Sequence, residues 1–492
     1  MLQRISITRP LLLTLSLTAF ALLGGCAVNP VSGDQDFVLM TEDQEIQAGK
    51  RYHKEILKQY KVLENPALQD YVDNIGQELA RQSHRKKLPF YFTVLDSPEV
   101  NAFALPGGYI YITRGIMAYL NSEAELAGVL GHEIGHVTAR HSVRQQSTSQ
   151  VTGLLGGILN VATGQDANRG LFSQVGFALS QGYGRDHELE ADKLGAEYLA
   201  RIGYSPDSMI DVVTVLKNQE LFERERAKTE GRAAQTYHGL FASHPSNDKR
   251  LRKVIKAAKK FQTGQDRDIG RDTYLRKIED VLFGQNSDDG VVRGNKFYHA
   301  SLDASLTGPE DWFIENASDR LIFVAPKQDA LIQVTLKPRG ESESPQEFLE
   351  QHLKRRELQD TRTLSANSMS GYSAVATVDK TPFGKRKVRY SVWLRNEFAW
   401  IFAATTKEHV DFELLDPKIS KTVSSLKPLN SAERKLAEPV KLKLVRAKSS
   451  TTYKKLAQDS PLPSYAESRL RLINGQYPDG EPQAGELIKI VQ

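Results

Sequence analysis

His132-Glu133-Ile134-Gly135-His136 places two imidazoles four residues apart inside an apolar run. On an α-helix of about 3.6 residues per turn such a pair lies about 40° apart, so both rings leave one face and can grip one ion. Glu133 sits about 60° from His136 on the far side, where its carboxylate can reach a water held by that ion. The pattern is that of a zinc site with its general base built in. The surroundings support a helix. Ser122 and Glu125 read as a capping box, and Leu126, Val129, Leu130 and Ile134 continue an apolar stripe through the motif.

A catalytic zinc takes three protein ligands and keeps one position open. Cys26 is the only cysteine, so the ligands must be His, Asp or Glu. Ten residues after the first histidine stands Ser142, with His141 one position off. No glycine separates His136 from His141. The helix is therefore expected to continue to about Gln146, with His141 turned about 140° away as a surface or supporting residue. The better source is Arg185-Asp186-His187-Glu188-Leu189-Glu190-Ala191-Asp192. On a helical wheel Ala191, Gly195, Tyr198, Leu199 and Ile202 define a buried side, and Glu190, Lys193, Glu197 and Arg201 a solvated one. Glu188 heads the buried side, with Asp192 one turn below. A carboxylate buried alone is expensive, and zinc supplies a partner. This favours Glu188 over Glu190 as third ligand and gives Asp192 an orienting role. His187 points about 100° away from Glu188.

HEIGH followed about fifty residues later by ELEAD resembles metallopeptidase family 48, the family of the HtpX and BepA-like zinc endopeptidases. In that motif the first Glu of E-x-x-A-D is the zinc ligand, which again selects Glu188. Asn101-Ala102-Phe103-Ala104-Leu105-Pro106-Gly107-Gly108 looks like the family's strand and turn ahead of the catalytic helix. Ser243-His244-Pro245, with Arg250 six residues after His244, resembles its late His-Pro motif. The resemblance covers about residues 28–260. It implies one zinc per chain on His132, His136 and Glu188, and Glu133 as general base. It implies Asp192 and Arg250 in support, and Asn101, Ala102, Phe103 and Ala104 as a strand that pairs with extended substrate. By the same resemblance His244 either occupies the fourth zinc position and restrains the enzyme, or assists the oxyanion; the bland reading is an ordinary turn histidine.

The start of the chain speaks to location. Arg4 and Arg9 precede or flank an apolar core over Leu11–Leu23, too short for a comfortable membrane span and right for a signal peptide. It ends in Leu23-Gly24-Gly25-Cys26, which resembles the bacterial lipobox, where the cysteine is acylated. Ala27, not Asp, follows; by the sorting rule this resembles, the protein goes to the periplasmic face of the outer membrane, lipid-anchored. The net charge of +5 falls to about +3 without Met1–Gly25, too weak and dispersed for nucleic acid.

At 492 residues two to four domains are expected. The fold class is α+β. A signal peptide (1–25) and tether (26–40) precede a mainly helical zincin of gluzincin type with a small sheet (41–262). A linker (263–289), an α+β module (290–430) and a small βααβ module (436–492) follow. Helices are expected over Thr41–Tyr60, from Asn65 to about Gln82, over Asp186–Ile202 and from Ser205 to about Arg232. Strands are expected at Phe90–Leu95, Asn101–Leu105 and Tyr109–Thr113. Val151–Gly182, rich in Gly, Ala, Leu and Ser, reads either as two buried helices or as an apolar lid. In 290–430, strands are expected at Leu321–Ala325, Ile332–Leu336, Lys387–Leu394 and Ala399–Ala403. This module weakly resembles PsbP-like or Mog1-like domains and shows no catalytic cluster. Residues 436–492 look like a LysM fold, which implies contact with peptidoglycan, although Lys448-Ser449-Ser450-Thr451 replaces the usual Gly-Asp-Thr start.

The expected activity is a zinc endopeptidase acting on polypeptides in envelope protein quality control. The rival is a cell-wall-associated binding or assembly lipoprotein with a latent protease domain.

Overall fold

The computed structural model describes residues 26–148, 183–230, 252, 254–256, 258–262 and 266–492 apart from 318, 355 and 463. The leader 1–25, the segment 151–182, His244 and Arg250 lie outside the described residues. The architecture is α+β, a helical N-terminal region followed by a β-rich one.

Strands β1 (Cys26–Val28) and β2 (Gln35–Phe37) form a hairpin within the segment read as a tether, its turn held by the Asn29 side chain accepting from the amides of Val31 and Ser32. Helix α1 (Glu42–Gln59) starts in a capping box of Thr41 and Gln44. Helix α2 (Pro66–Arg81) starts with Asn65 as cap and proline in the first turn. Strands β3 (Tyr91–Leu95), β4 (Ala102–Leu105) and β5 (Tyr109–Thr113) form a sheet in the order β3-β5-β4. β4 runs antiparallel to β5 and is an edge among the described residues. The turn between them carries Gly107 at φ +75°, where a Cβ would lie 2.8 Å from the Ile46 Cα, so only glycine fits.

After the short α3 (Arg114–Met117) comes α4 (Glu123–Thr138), capped by Ser122 and buried along almost its whole length. It packs on α5 (Arg185–Arg201) and α6 (Ser208–Thr229). α4 and α5 touch backbone to backbone. A Cβ on Gly135 would lie 2.9 Å from the Ala191 carbonyl oxygen, and one on Gly195 2.9 Å from the His132 nitrogen. Two glycines thus bring the HExxH helix close to the helix that carries Glu188.

The sequence suggested that α4 runs on to about Gln146; the structure corrects this. α4 ends at Thr138, and Arg140 takes a left-handed φ of +57° before helix resumes at 141–148. A non-glycine residue there costs on the order of 1–2 kcal/mol. Arg140 is held to it by bonds from Nε to Glu45 (2.9 Å) and from Nη2 to the Met40 carbonyl (2.7 Å).

Beyond α6, helix α7 (Arg271–Ile278) buries Tyr274, Leu275 and Ile278 in the same core, although its stretch reads as linker. Only three apolar residues carry that helix, too few to stand out in a polar run. β6 (Leu282–Phe283) follows. β7 (Val291–Arg293), β8 (Lys296–His299) and β9 (Ala304–Thr307) make a small antiparallel sheet. Next comes a seven-stranded antiparallel sheet of β10 (Phe313–Ala317), β11 (Arg320–Val324), β12 (Ala330–Pro338), β13 (Gln359–Ala366), β14 (Met369–Thr381), β15 (Gly384–Arg395) and β16 (Phe398–Thr406). Its order is β10-β11-β12-β16-β15-β14-β13. Helix α8 (Pro345–Leu353) packs on β14 and β15, and α9 (Phe412–Ser424) on β9, β13 and β16.

After α10 (Ser431–Leu436), the chain ends in β17 (Val440–Arg446), α11 (Tyr453–Gln458), α12 (Ala466–Ile473) and β18 (Leu487–Val491). β17 pairs with both β18 and β6. Leu442, Tyr453, Leu470, Ile473 and Ile488 belong to one apolar cluster with Leu126, Leu130 and Ile134 of α4. Lys489 is fully buried there and donates to the carbonyls of Ala118 (2.8 Å) and Leu120 (2.7 Å). No helix among the described residues is long and apolar enough to cross a membrane.

Candidate metal centre

His132 and His136 leave one face of α4, and Glu188 meets them from the first turn of α5. The two Nε2 atoms lie 3.0 Å apart. The Glu188 carboxylate straddles them, Oε2 3.5 Å from His132 Nε2 and Oε1 3.4 Å from His136 Nε2. Tetrahedral zinc with bonds of about 2.0–2.1 Å sets neighbouring donors about 3.3 Å apart. The two imidazole nitrogens and the two carboxylate oxygens stand at spacings of that size, so the residues fit zinc. Among the described residues this is the one group of three side chains able to hold a metal ion.

The electrostatics agree. Burial alone would push His132 toward its neutral form, but the carboxylates of Asp192 and Glu188 outweigh it and hold the group well above its ordinary pKa. The pocket favours a positive charge. His132 Nδ1 lies 3.1 Å from Asp192 Oδ1, which orients the ring with Nε2 toward His136 and Glu188. Glu133, on the same helix, is fully buried.

The structure brings together His132, Glu133, His136, Glu188 and Asp192. Asn101 and Ala102–Ala104 stand on or beside β4, which packs against α4. Cys26 begins β1.

Sequence reasoning missed other residues. His141 is fully buried, its Nδ1 2.8 Å from His136 Nδ1 and its Nε2 3.1 Å from Glu190 Oε2. Glu190 also accepts from Arg144 Nη1 at 2.9 Å. Tyr183 stacks on His136 at 4.0 Å between ring centroids, and its hydroxyl meets Ser142 Oγ at 2.6 Å. His187 stacks on His141 at 4.4 Å. All of this follows from the corner at Arg140. Its one sequence signal is an acidic residue, Glu45, nearly a hundred positions away on the buried stripe of α1.

Residues 66–258 match the profile described as Peptidase family M48. This segment is a peptidase family M48 domain. With its His-His-Glu zinc set it is a metalloendopeptidase domain. The chain is 31% identical over 185 residues to the beta-barrel assembly-enhancing protease of Escherichia coli K12, covering 36% of this chain and 38% of that protein. It is 28% identical over 231 residues to the mitochondrial metalloendopeptidase OMA1 of Schizosaccharomyces pombe, covering 46% of this chain and 64% of that one. The chain thus spans less than half the length of the first of these relatives and under two thirds of the second. Of solved structures, that of cyanobacterial PsbP from Synechocystis is similar at 11% identity and a TM-score of 0.23, over 28% of this chain and 95% of that one. Likeness that slight assigns nothing to the C-terminal part of the chain.

Proposed function

We propose that the protein is a zinc endopeptidase of gluzincin type that cleaves unfolded or stalled outer-membrane proteins, anchored by lipid on Cys26 at the periplasmic face of the outer membrane. The observation that carries the peptidase reading is the donor triangle of His132, His136 and Glu188 with Glu133 on the same helix. Similarity to the beta-barrel assembly-enhancing protease of E. coli supports the substrate class.

Bound zinc supplies a Lewis acid for the scissile carbonyl and a water acidified to a pKa of about 7. Glu133 takes the proton from the attacking water and returns it to the leaving amine. Among the described residues β4 pairs with β5 along one edge only, and its other edge suits an extended substrate backbone. Tyr183 covers the face of His136 and excludes water from that side. His244 is read as a gate on the fourth zinc position, supported by Arg250. His244→Ala raising activity supports the gate, and loss of activity supports a transition-state role.

The βααβ module is read as a cap on the peptidase domain in preference to a LysM-like glycan reader. Its α12–β18 loop is engaged by α6: Asn218 Nδ2 donates to the Tyr477 carbonyl at 3.2 Å, and the Tyr477 hydroxyl bonds Glu225.

The test compares zinc-loaded full chain with Glu133→Gln on a denatured outer-membrane β-barrel protein and on its folded form. Cleavage of the denatured form by the wild type alone is expected. Equal cleavage by both proteins sinks the mechanism, and equal cleavage of both substrate forms sinks the substrate class. Retention of the chain on peptidoglycan, lost on deleting 436–492, would overturn the cap.

A further inference from the structure

The two zinc-binding histidines are oriented by different means. His132 meets the Asp192 carboxylate directly, at 3.1 Å. On its Nδ1 side His136 meets a second imidazole, His141, at 2.8 Å. We propose that His141 is a positioning residue for the zinc ligand His136, its own proton fixed by Glu190, so that Glu190, His141 and His136 act as one hydrogen-bonded relay ending at the metal.

The charge-fixed donor at one end sets the direction of the hydrogen bonds along this path. Arg144 lies 2.9 Å from Glu190 Oε2, and a guanidinium has no acceptor, so Glu190 is a carboxylate that can only accept. His141 Nε2 must then carry the proton it shares with Glu190 at 3.1 Å. A neutral His141 with its proton on Nε2 has a lone pair on Nδ1. That lone pair accepts from His136 Nδ1–H, which leaves the His136 Nε2 lone pair for zinc. With the opposite tautomer His141 would donate, His136 would carry its proton on Nε2, and the zinc donor would be lost.

The relay is held on every side. His187 stacks on the His141 ring, and Tyr183 stacks on the His136 ring. The turn that delivers His141 is fixed from below. Arg140 and Arg85 both bond the buried Glu45, and Arg85 also donates to the Val137 carbonyl at 3.0 Å in the last turn of α4. Glu45 accepts the Gly107 amide as well, at 3.3 Å, so one carboxylate fixes both the histidine corner and the turn behind β4.

The inference rests on the zinc site and not on the substrate reading, so its test reads metal. The full chain is stripped of zinc and titrated back against a chromophoric chelator, as wild type, His141→Leu, His141→Asn and Glu190→Gln. His141→Leu is expected to weaken zinc binding roughly 10–100-fold, the usual cost of losing such a partner. It is also expected to shift the visible band of the cobalt-substituted protein. Asn presents a carbonyl oxygen near the Nδ1 position, so His141→Asn should recover part of the loss. Glu190→Gln should weaken binding less than His141→Leu. Wild-type zinc affinity and cobalt spectrum in His141→Leu would overturn the proposal. So would equal weakening by Leu and Asn, which marks a packing role alone. Should His141→Leu fail to fold, Glu190→Gln decides: unchanged zinc affinity there overturns the relay.

Discussion

The peptidase domain and the seven-stranded module are each braced by a guanidinium–carboxylate cluster, buried in the first and half-exposed in the second, and only the first stands beside the metal centre. In the peptidase domain Glu45 receives Arg85 (2.8 Å) and Arg140 (2.9 Å), all three nearly fully buried. In the module Arg389 and Arg362 share Asp360 and Asp416, which ties β13 and β15 to α9. In both clusters each carboxylate already meets a cation, and nothing is left to bind. At the metal centre the carboxylate of Glu188 meets two imidazole nitrogens that need not be charged. Paired charge therefore marks a scaffold in two places. A site appears only where lone pairs converge and the positive charge must come from elsewhere.

The largest expected effect tests that contrast at its centre. Glu133→Gln should retain zinc and lose roughly 10²–10⁴-fold in turnover, the range for a general acid–base group, measured on a peptide substrate with metal content checked in parallel. Near-normal turnover would remove Glu133 from the mechanism. Next comes the scaffold beneath it. Glu45→Ala removes the buried carboxylate shared by Arg140 and Arg85, leaving Arg85 only its pair with the more exposed Glu42, and should cost about 3 kcal/mol of stability by denaturant unfolding. It should also weaken zinc binding, because the Arg140 corner relaxes. Asp416→Ala should destabilise the module through the same physics, yet leave zinc affinity unchanged; a shift in zinc affinity would show that the two regions are coupled. The smallest effect is on pH. Hydrogen bonds from Arg389 and then Arg362 hold the Asp360 carboxyl below its usual range. Its folded pKa is depressed, so its contribution is full above the unfolded value near 4 and is lost as pH falls through the folded value. Asp360 is partly exposed, and the contribution is modest. Asp360→Asn should lower the module's stability modestly at neutral pH and hardly at all in strong acid, and so flatten the acid limb of its unfolding.

The legible parts of the molecule are those with short-range signals. Helix α1 declares itself by Thr41 and Gln44, α2 by Asn65 and Pro66, and α4 by Ser122. The wheel of α5 separated Glu188 from Glu190 because burial follows the helical period, and only Glu188 joins the donor triangle. In the sheet module β11, β12, β15 and β16 were readable from their apolar residues. β13, largely exposed and polar at the edge, carried no such alternation. The wheel also put Glu190 on the outside, and its side chain does remain partly exposed. It could not foresee that His141 would arrive there, because a continuing helix turns His141 away.

The sequence alone determined the zinc chemistry: two histidines at helical spacing, a glutamate between them, and a second glutamate heading a buried helical face. Those are local facts, set by the 100° step of the helix and by the cost of burying a lone carboxylate. Only the tertiary structure decided how His136 is oriented and what the C-terminal module packs against. His141 reaches His136 because Glu45, on a distant helix, stabilises a left-handed Arg140 that no local preference would choose. Lys489 reaches the carbonyls before α4 because β17 and β18 complete an apolar core begun more than three hundred residues earlier. Both contacts depend on long-range packing outweighing local backbone preference.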